Sequence, residues 1–261
     1  MPASRRTRAV LTARDFLKDV GRLSLSWPGK TVRLERDSLY DHWQQPSSHQ
    51  PSIAELYHEN SKLFDAVAGE LAASRTDVDG LRRAVAEQRS RAMREKGGAS
   101  VELPLPVERI LIDACGGLES ALFAVEIRVL IGASLAIFDP VGKTAHATKV
   151  LAPGELSAID TSLALLGTAP SSAADRTLLF VTASLARNHI LFGPRGYRRT
   201  LLEAGQVCQR LLDGIATSGL ARTVWFEFAD RRIDAAVEAD GIEEATIAVI
   251  EIKGSTRADH R

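Results

Sequence analysis

Cysteine is almost missing from this chain: Cys115 and Cys208 are the only two in 261 residues, each alone in apolar surroundings. That argues against a disulfide framework or a cysteine zinc site and fits buried thiols in a reducing compartment. An excess of either charge is missing too, with 33 lysines and arginines against 33 aspartates and glutamates. No global field then recruits nucleic acid or an anionic membrane. No run reaches the roughly 18 consecutive apolar residues of a membrane span. The basic opening "MPASRRTRAVLTARDFLKD" lacks the apolar core of a secretory signal. A soluble cytoplasmic protein, with neither nucleic acid nor membrane as partner, is the expectation.

Other absences narrow the chemistry. No Gly-x-Gly-x-x-Gly follows a strand and no Walker-type loop occurs, which removes nicotinamide and nucleoside-triphosphate readings. His58, Glu59 and Lys62 fall within one helical turn, but without a second histidine they make no metal signature. They read as a solvated or interface face, with a base beside a cation as the functional alternative. No metal site is expected, and no internal repeat is visible.

What is present supports a real core, since 45% of the residues are hydrophobic. The first 50 residues are mixed, with a short helix expected near 13–23 and a strand near 31–35. Ser52 and Glu55 then form a capping box before a helix whose Ile53, Leu56, Leu63, Val67 and Leu71 recur near helical period. The segment "TDVDGLRRAVAEQRSRAMREKGG" carries few large apolar residues and reads as a surface helix, or an arm packing on a partner. At "VELPLP", Pro104 and Pro106 argue against regular helix and mark a boundary.

Beyond the boundary the texture changes. "LFAVEIRVLIG" alternates Val125, Ile127, Val129 and Ile131 against Glu126 and Arg128, the period of a half-buried strand. "SLAIFDPVGKTAHATKV" reads as a hairpin turning at "DPVGK". Helix, strand, long helix, strand, helix and strand follow, an α+β pattern. Three regions are expected: a helical amino-terminal region over 1–103, a domain over 104–253 and a disordered tail over 254–261.

The long helix begins at "RGYRRTLLEAGQVCQRLLDGIATSGL". Leu201, Ala204, Cys208, Leu211 and Ile215 form one stripe, core or dimer interface. Arg195, Tyr197, Arg198 and Arg199 cluster at its amino terminus, where free N–H groups and guanidinium groups suit an anion; pairing of the arginines with acidic residues such as Glu203 is the alternative. His189, just upstream, is a structural loop histidine or a base for proton abstraction. Cys115, beside Asp113 and the Gly116-Gly117 turn, reads as a packing residue.

That helix, followed by a strand, an acidic helix and a last apolar strand, resembles the flavin-dependent nitroreductase superfamily, and within it the SagB-type thiazoline and oxazoline dehydrogenases. "ELYHENSKL" (Glu55 to Leu63) is similar to the segment many members carry before the catalytic domain. The resemblance implies a nitroreductase-like mixed sheet flanked by helices, working as a homodimer or as a heterodimer with a homologous subunit. It implies flavin mononucleotide (FMN) at the interface, bound by Arg195, Gly196 and Arg198, with His189 and Tyr197 as catalytic residues. The implied reaction oxidises a peptide-derived azoline, or another peptide or small-molecule intermediate, in natural-product biosynthesis.

Three segments depart from that pattern. Where the family carries an Arg-Arg-Ser-x-Arg type signature, this chain has "VERILIDACGGLES" with Arg109 alone; the family's Lys-Tyr pair falls on Leu191 and Phe192; its glycine-rich strand falls on "RTVWFEF". Two readings therefore stand: an FMN-dependent dehydrogenase, or a flavin-free partner subunit or binding protein of a biosynthetic complex.

Overall fold

The computed structural model describes residues 78–95, 99–117, 121–166, 169–172, 176–193 and 195–254. The expected elements before residue 78, including the capping box and His58, lie outside the described residues, as does the tail after Gly254.

Helix α1 (Val78–Glu95) leads to a two-residue strand β1 (Ser100–Val101) and helix α2 (Leu105–Cys115). The prolines at the expected boundary start this helix instead of preventing one. Pro104 is the cap residue and Pro106 lies in the first turn, where a missing N–H costs nothing because it has no intrahelical partner anyway. A 3-10 turn (Ala121–Phe123) then feeds β2 (Val125–Ile131), β3 (Ser134–Asp139) and β4 (Thr144–Val150). Gly132, at φ 57°, opens the two-residue turn between β2 and β3, a conformation a side chain resists. The β3–β4 turn falls at "DPVGK" as the sequence indicates, with Asp139 Oδ1 accepting from the Val141 N–H at 3.0 Å.

Helix α3 (Pro153–Leu163) leads to β5 (Arg176–Ser184), α4 (Leu185–Phe192), the 23-residue α5 (Arg195–Thr217), β6 (Ala221–Trp225), α6 (Asp230–Val237) and β7 (Glu244–Lys253). The seven strands form one sheet in the order β1-β4-β3-β2-β5-β7-β6. The α+β class and the helix-flanked sheet are as expected. Each described pairing is antiparallel, so the parallel part of a mixed sheet is not among the described strands. Tight turns link β2 to β3 and β3 to β4, and such short links permit only antiparallel neighbours.

Helices cover both faces. One core joins α2 and α5 to Ile127, Val129, Leu179, Val181 and Ile250; the other joins α3 and α6 to Leu135, Leu178, Phe180 and Val249. The α5 stripe of Ala204, Val207, Cys208, Leu211 and Ile215 is spent on the first core. It therefore stabilises the monomer, at about 1.5–3 kcal/mol for each large side chain, and offers no dimer face. Cys115 packs in the same core, as expected, and burial pushes its thiol up to about 12.

Two differences from the sequence reading matter for the site. β2 is buried on both faces, so its polar alternation faces a charged interior cluster in place of water: Glu126 and Arg128 are 9% and 5% exposed. Helix α1 is no free arm either, since Arg82 and Val85 on its inner face are fully buried against the chain's own body.

Candidate functional site

The basic cluster sits where α4 meets α5. The sequence reading took residues around His189 as loop, but "LARNHILF" forms α4 directly after β5. Gly193 ends it at φ 59°; its N–H donates to the His189 carbonyl at 2.7 Å, and its own carbonyl accepts from the Gly196 N–H at 2.8 Å. Gly196 is buried because the helices touch there. A β-carbon at this position would lie 2.3 Å from the Asn188 carbonyl oxygen and 2.5 Å from the His189 nitrogen, both backbone atoms. Glycine is required by space, not by its own dihedrals.

The expected site residues share the α4–α5 corner but differ in exposure. Arg195 is exposed, Tyr197 is 37% exposed and Arg198 is half-buried, while Gly196 faces α4. His189 is half-buried in α4, and burial holds its imidazole below its ordinary pKa. Arg199 is taken up internally: its Nε donates to Glu203 Oε1 at 2.8 Å, and its guanidinium lies 4.6 Å from the Phe192 ring centroid. The pairing with Glu203 is the alternative the sequence left open.

Glu203 is the hub of a buried polar network that the sequence did not reveal. Besides Arg199 it accepts from Arg82 of α1, and Asn188 Nδ2 donates to its Oε2 at 2.8 Å and to Thr200 Oγ1 at 3.0 Å. A second network surrounds Glu126, which accepts from Arg89 of α1 and from Arg187 of α4, the latter at 2.7 Å. Arg128 reaches Glu244 at 2.9 Å, and Thr182 Oγ1 donates to the same carboxylate. Burial opposes the charge on Glu126, but the Arg89, Arg187 and Arg128 guanidinium groups outweigh it and hold the carboxyl down to about 2. Arg89 is itself pulled down to about 10 by burial and by Arg187, against Glu126 and Glu244. It stays charged at neutral pH; burial is the main reason Arg89 shifts downward, and the guanidinium groups are the reason Glu126 does.

A cleft opens between α1 and the β2–β3 side of the sheet. Ala86, Arg89 and Met93 line one wall; Val125, Glu126 and Phe138 are among the residues on the other. None of the five expected site residues reaches it. Among the described residues no group of three or more histidine, cysteine or acidic side chains could hold a metal ion. No described helix is long and apolar enough to cross a membrane.

A crystal structure of a candidate nitroreductase from Anabaena variabilis matches over 80% of this chain and 47% of that one, at a TM-score of 0.54 and 16% identity. The fold is nitroreductase-like. The chain spans about half the length of that relative. A candidate nitroreductase from Ralstonia eutropha also matches, over 66% of this chain and 82% of its own, at 16% identity and a TM-score of 0.46. So does a chain of the E. coli microcin synthetase McbBCD complex with truncated pro-MccB17 bound, over 90% and 85%, at 14% identity and 0.47. No protein-family model matches the chain, and no curated protein does.

Around the residues that the resemblance assigns to FMN, several neighbouring side chains are engaged within the chain. Arg199 is neutralised by Glu203, and the Gly196 side of the α5 terminus is closed by the backbone of α4. Leu191 packs against the small apolar cluster under α1, and Phe192 stacks with Arg199. Trp225, in the strand that is glycine-rich in the family, is buried in the α3–α6 core. Arg195 and Arg198 lie three residues apart on α5, the first exposed and the second half-buried.

Proposed function

We propose that this chain is a flavin-free, nitroreductase-fold partner subunit of a biosynthetic complex that modifies a peptide-derived intermediate. The observation that carries the reading is the fate of the basic cluster. A phosphate-binding cluster needs guanidinium groups without carboxylate partners, whereas here Glu203 holds Arg199 and is itself held by Arg82 and Asn188. The link to peptide modification is supported by the sequence resemblance of the α5 segment and of "ELYHENSKL" to the SagB-type branch. In such a complex this subunit supplies surface and orientation, and a homologous partner supplies the redox centre.

A second reading, an FMN-dependent SagB-type dehydrogenase, is favoured by one feature: Arg195 and Tyr197 stay exposed at the start of α5, where a pure scaffold needs neither. The test is to purify the tagged chain from its own source cells and follow flavin absorbance and azoline oxidation across the fractions. Flavin is expected only where a second, flavin-bearing chain co-elutes. Flavin and activity travelling with this chain alone would overturn the proposal.

A further inference from the structure

Leu202, at 75%, is the most exposed large apolar side chain among the described residues. It stands on the outward face of α5, where Arg195 and Gln206 are exposed as well. That face lies opposite the buried stripe of Ala204, Val207, Cys208 and Leu211, so the sheet cannot cover it. The same corner is rich in positive charge. α4 and the first three turns of α5 carry Arg187, Arg195, Arg198 and Arg199 against Glu203. With Arg82 and Glu126, which bond to them, that is five guanidinium groups to two carboxylates.

The path of the chain leads to this corner. Arg82, in the second turn of α1, pairs with Glu203, the residue next to Leu202. The stretch 72–77 before α1 spans about 20 Å at most, so what precedes it stays within reach. What precedes it is the expected amphipathic helix over 53–71. Its stripe of Ile53, Leu56, Leu63, Val67 and Leu71, with Phe64 on the same side, has to be buried against something. Its charge is acidic, with Glu55, Glu59, Asp65 and Glu70 against Lys62. Glu59 and Glu70, about three turns apart, flank the apolar stripe along one edge. An acidic amphipathic helix thus ends within reach of a basic corner that exposes a leucine.

We propose that the outward face of α5 is the docking surface for the chain's own segment 53–71, its apolar stripe over Leu202 and its flanking carboxylates toward Arg198. The corner that the resemblance assigns to a cofactor phosphate is then neutralised from within the chain: Glu203 serves Arg199, and the docked helix serves Arg198. The inference stands on the exposed face and the opposed charges, and it does not depend on whether a redox partner exists.

The test uses the full chain with a protease site in place of residues 72–76, cut after purification. On gel filtration at low salt the fragment 1–71 is expected to stay with the rest of the chain, and added salt to weaken its hold. Leu202→Glu is expected to weaken retention about tenfold or more, and so is Glu59→Lys with Glu70→Lys in the fragment, which leaves the rest of the chain unaltered. A fragment that leaves the wild-type protein, or that is kept equally by Leu202→Glu, would overturn the proposal. Release of the fragment with the remainder eluting as a dimer would overturn it in favour of a second copy. Hydroxyl-radical labelling of the uncut wild type reads the same contact without a variant. Leu202 is expected to label several-fold less than Ile242 and Val150, whose exposures of 70% and 74% match its own. Equal labelling of the three would contradict the docking.

Discussion

Arg82 and Glu203, 121 positions apart in sequence, form a buried ion pair that ties α1 to the third turn of α5. Its two ends are not equivalent. Glu203 has Arg199 and Asn188 as further partners, so its carboxylate stays paired when Arg82 is lost, whereas losing Glu203 takes the carboxylate from both arginines. Glu203→Gln should therefore cost about 3–5 kcal/mol, the usual result of removing one partner of a buried ion pair. Arg82→Ala should cost about 1–3 kcal/mol. Urea unfolding of the two variants measures the difference, and equal costs would contradict the asymmetry.

Gly196 and Gly205 lie on the same helix and predict opposite outcomes. At Gly196 a methyl group would meet the α4 backbone, so Gly196→Ala should destabilise the fold by about 2 kcal/mol or more. At Gly205 nothing lies within 4 Å, and alanine should stabilise by about 0.5–1 kcal/mol through the helix backbone. Thermal unfolding of both variants checks the signs.

Much of this fold was legible in sequence because the information was local. The period of β2, the Asp139 turn and the α5 stripe each depend on residues within a few positions of one another. Helix α4 was not legible: it is eight residues long and follows β5 without a connecting loop or a side-chain cap. The start of α2 was misread because two prolines were taken as breakers, when a first helical turn accepts them. The charged networks were hidden for another reason. Glu126 finds Arg89 and Arg187 at separations of 37 and 61 residues, and nothing near "VEIRV" announces that its polar face is covered.

Acid should loosen the Glu126 network. Its carboxyl titrates near 2 in the fold, below the ordinary 4.5, so its stabilising contribution is complete above about 4.5 and is lost as pH falls toward 2. The wild-type protein should lose more stability over that window than Glu126→Gln does. Parallel acid-unfolding curves for the two would refute the assignment.

Arg195 should be expendable for folding. Arg195→Ala is expected to change stability by less than about 0.5 kcal/mol, as surface substitutions usually do, and the double replacement of Arg195 and Arg198 with alanine to weaken assembly with the partner subunit. Unchanged assembly would remove them from the functional surface.

The most direct measurement is the visible absorption spectrum of the purified chain after incubation with FMN and gel filtration. A partner subunit whose Arg199 is paired with Glu203 should emerge colourless. A flavin band retained at near-equal stoichiometry by this chain alone would contradict that reading and restore Arg195, Gly196 and Arg198 as cofactor ligands.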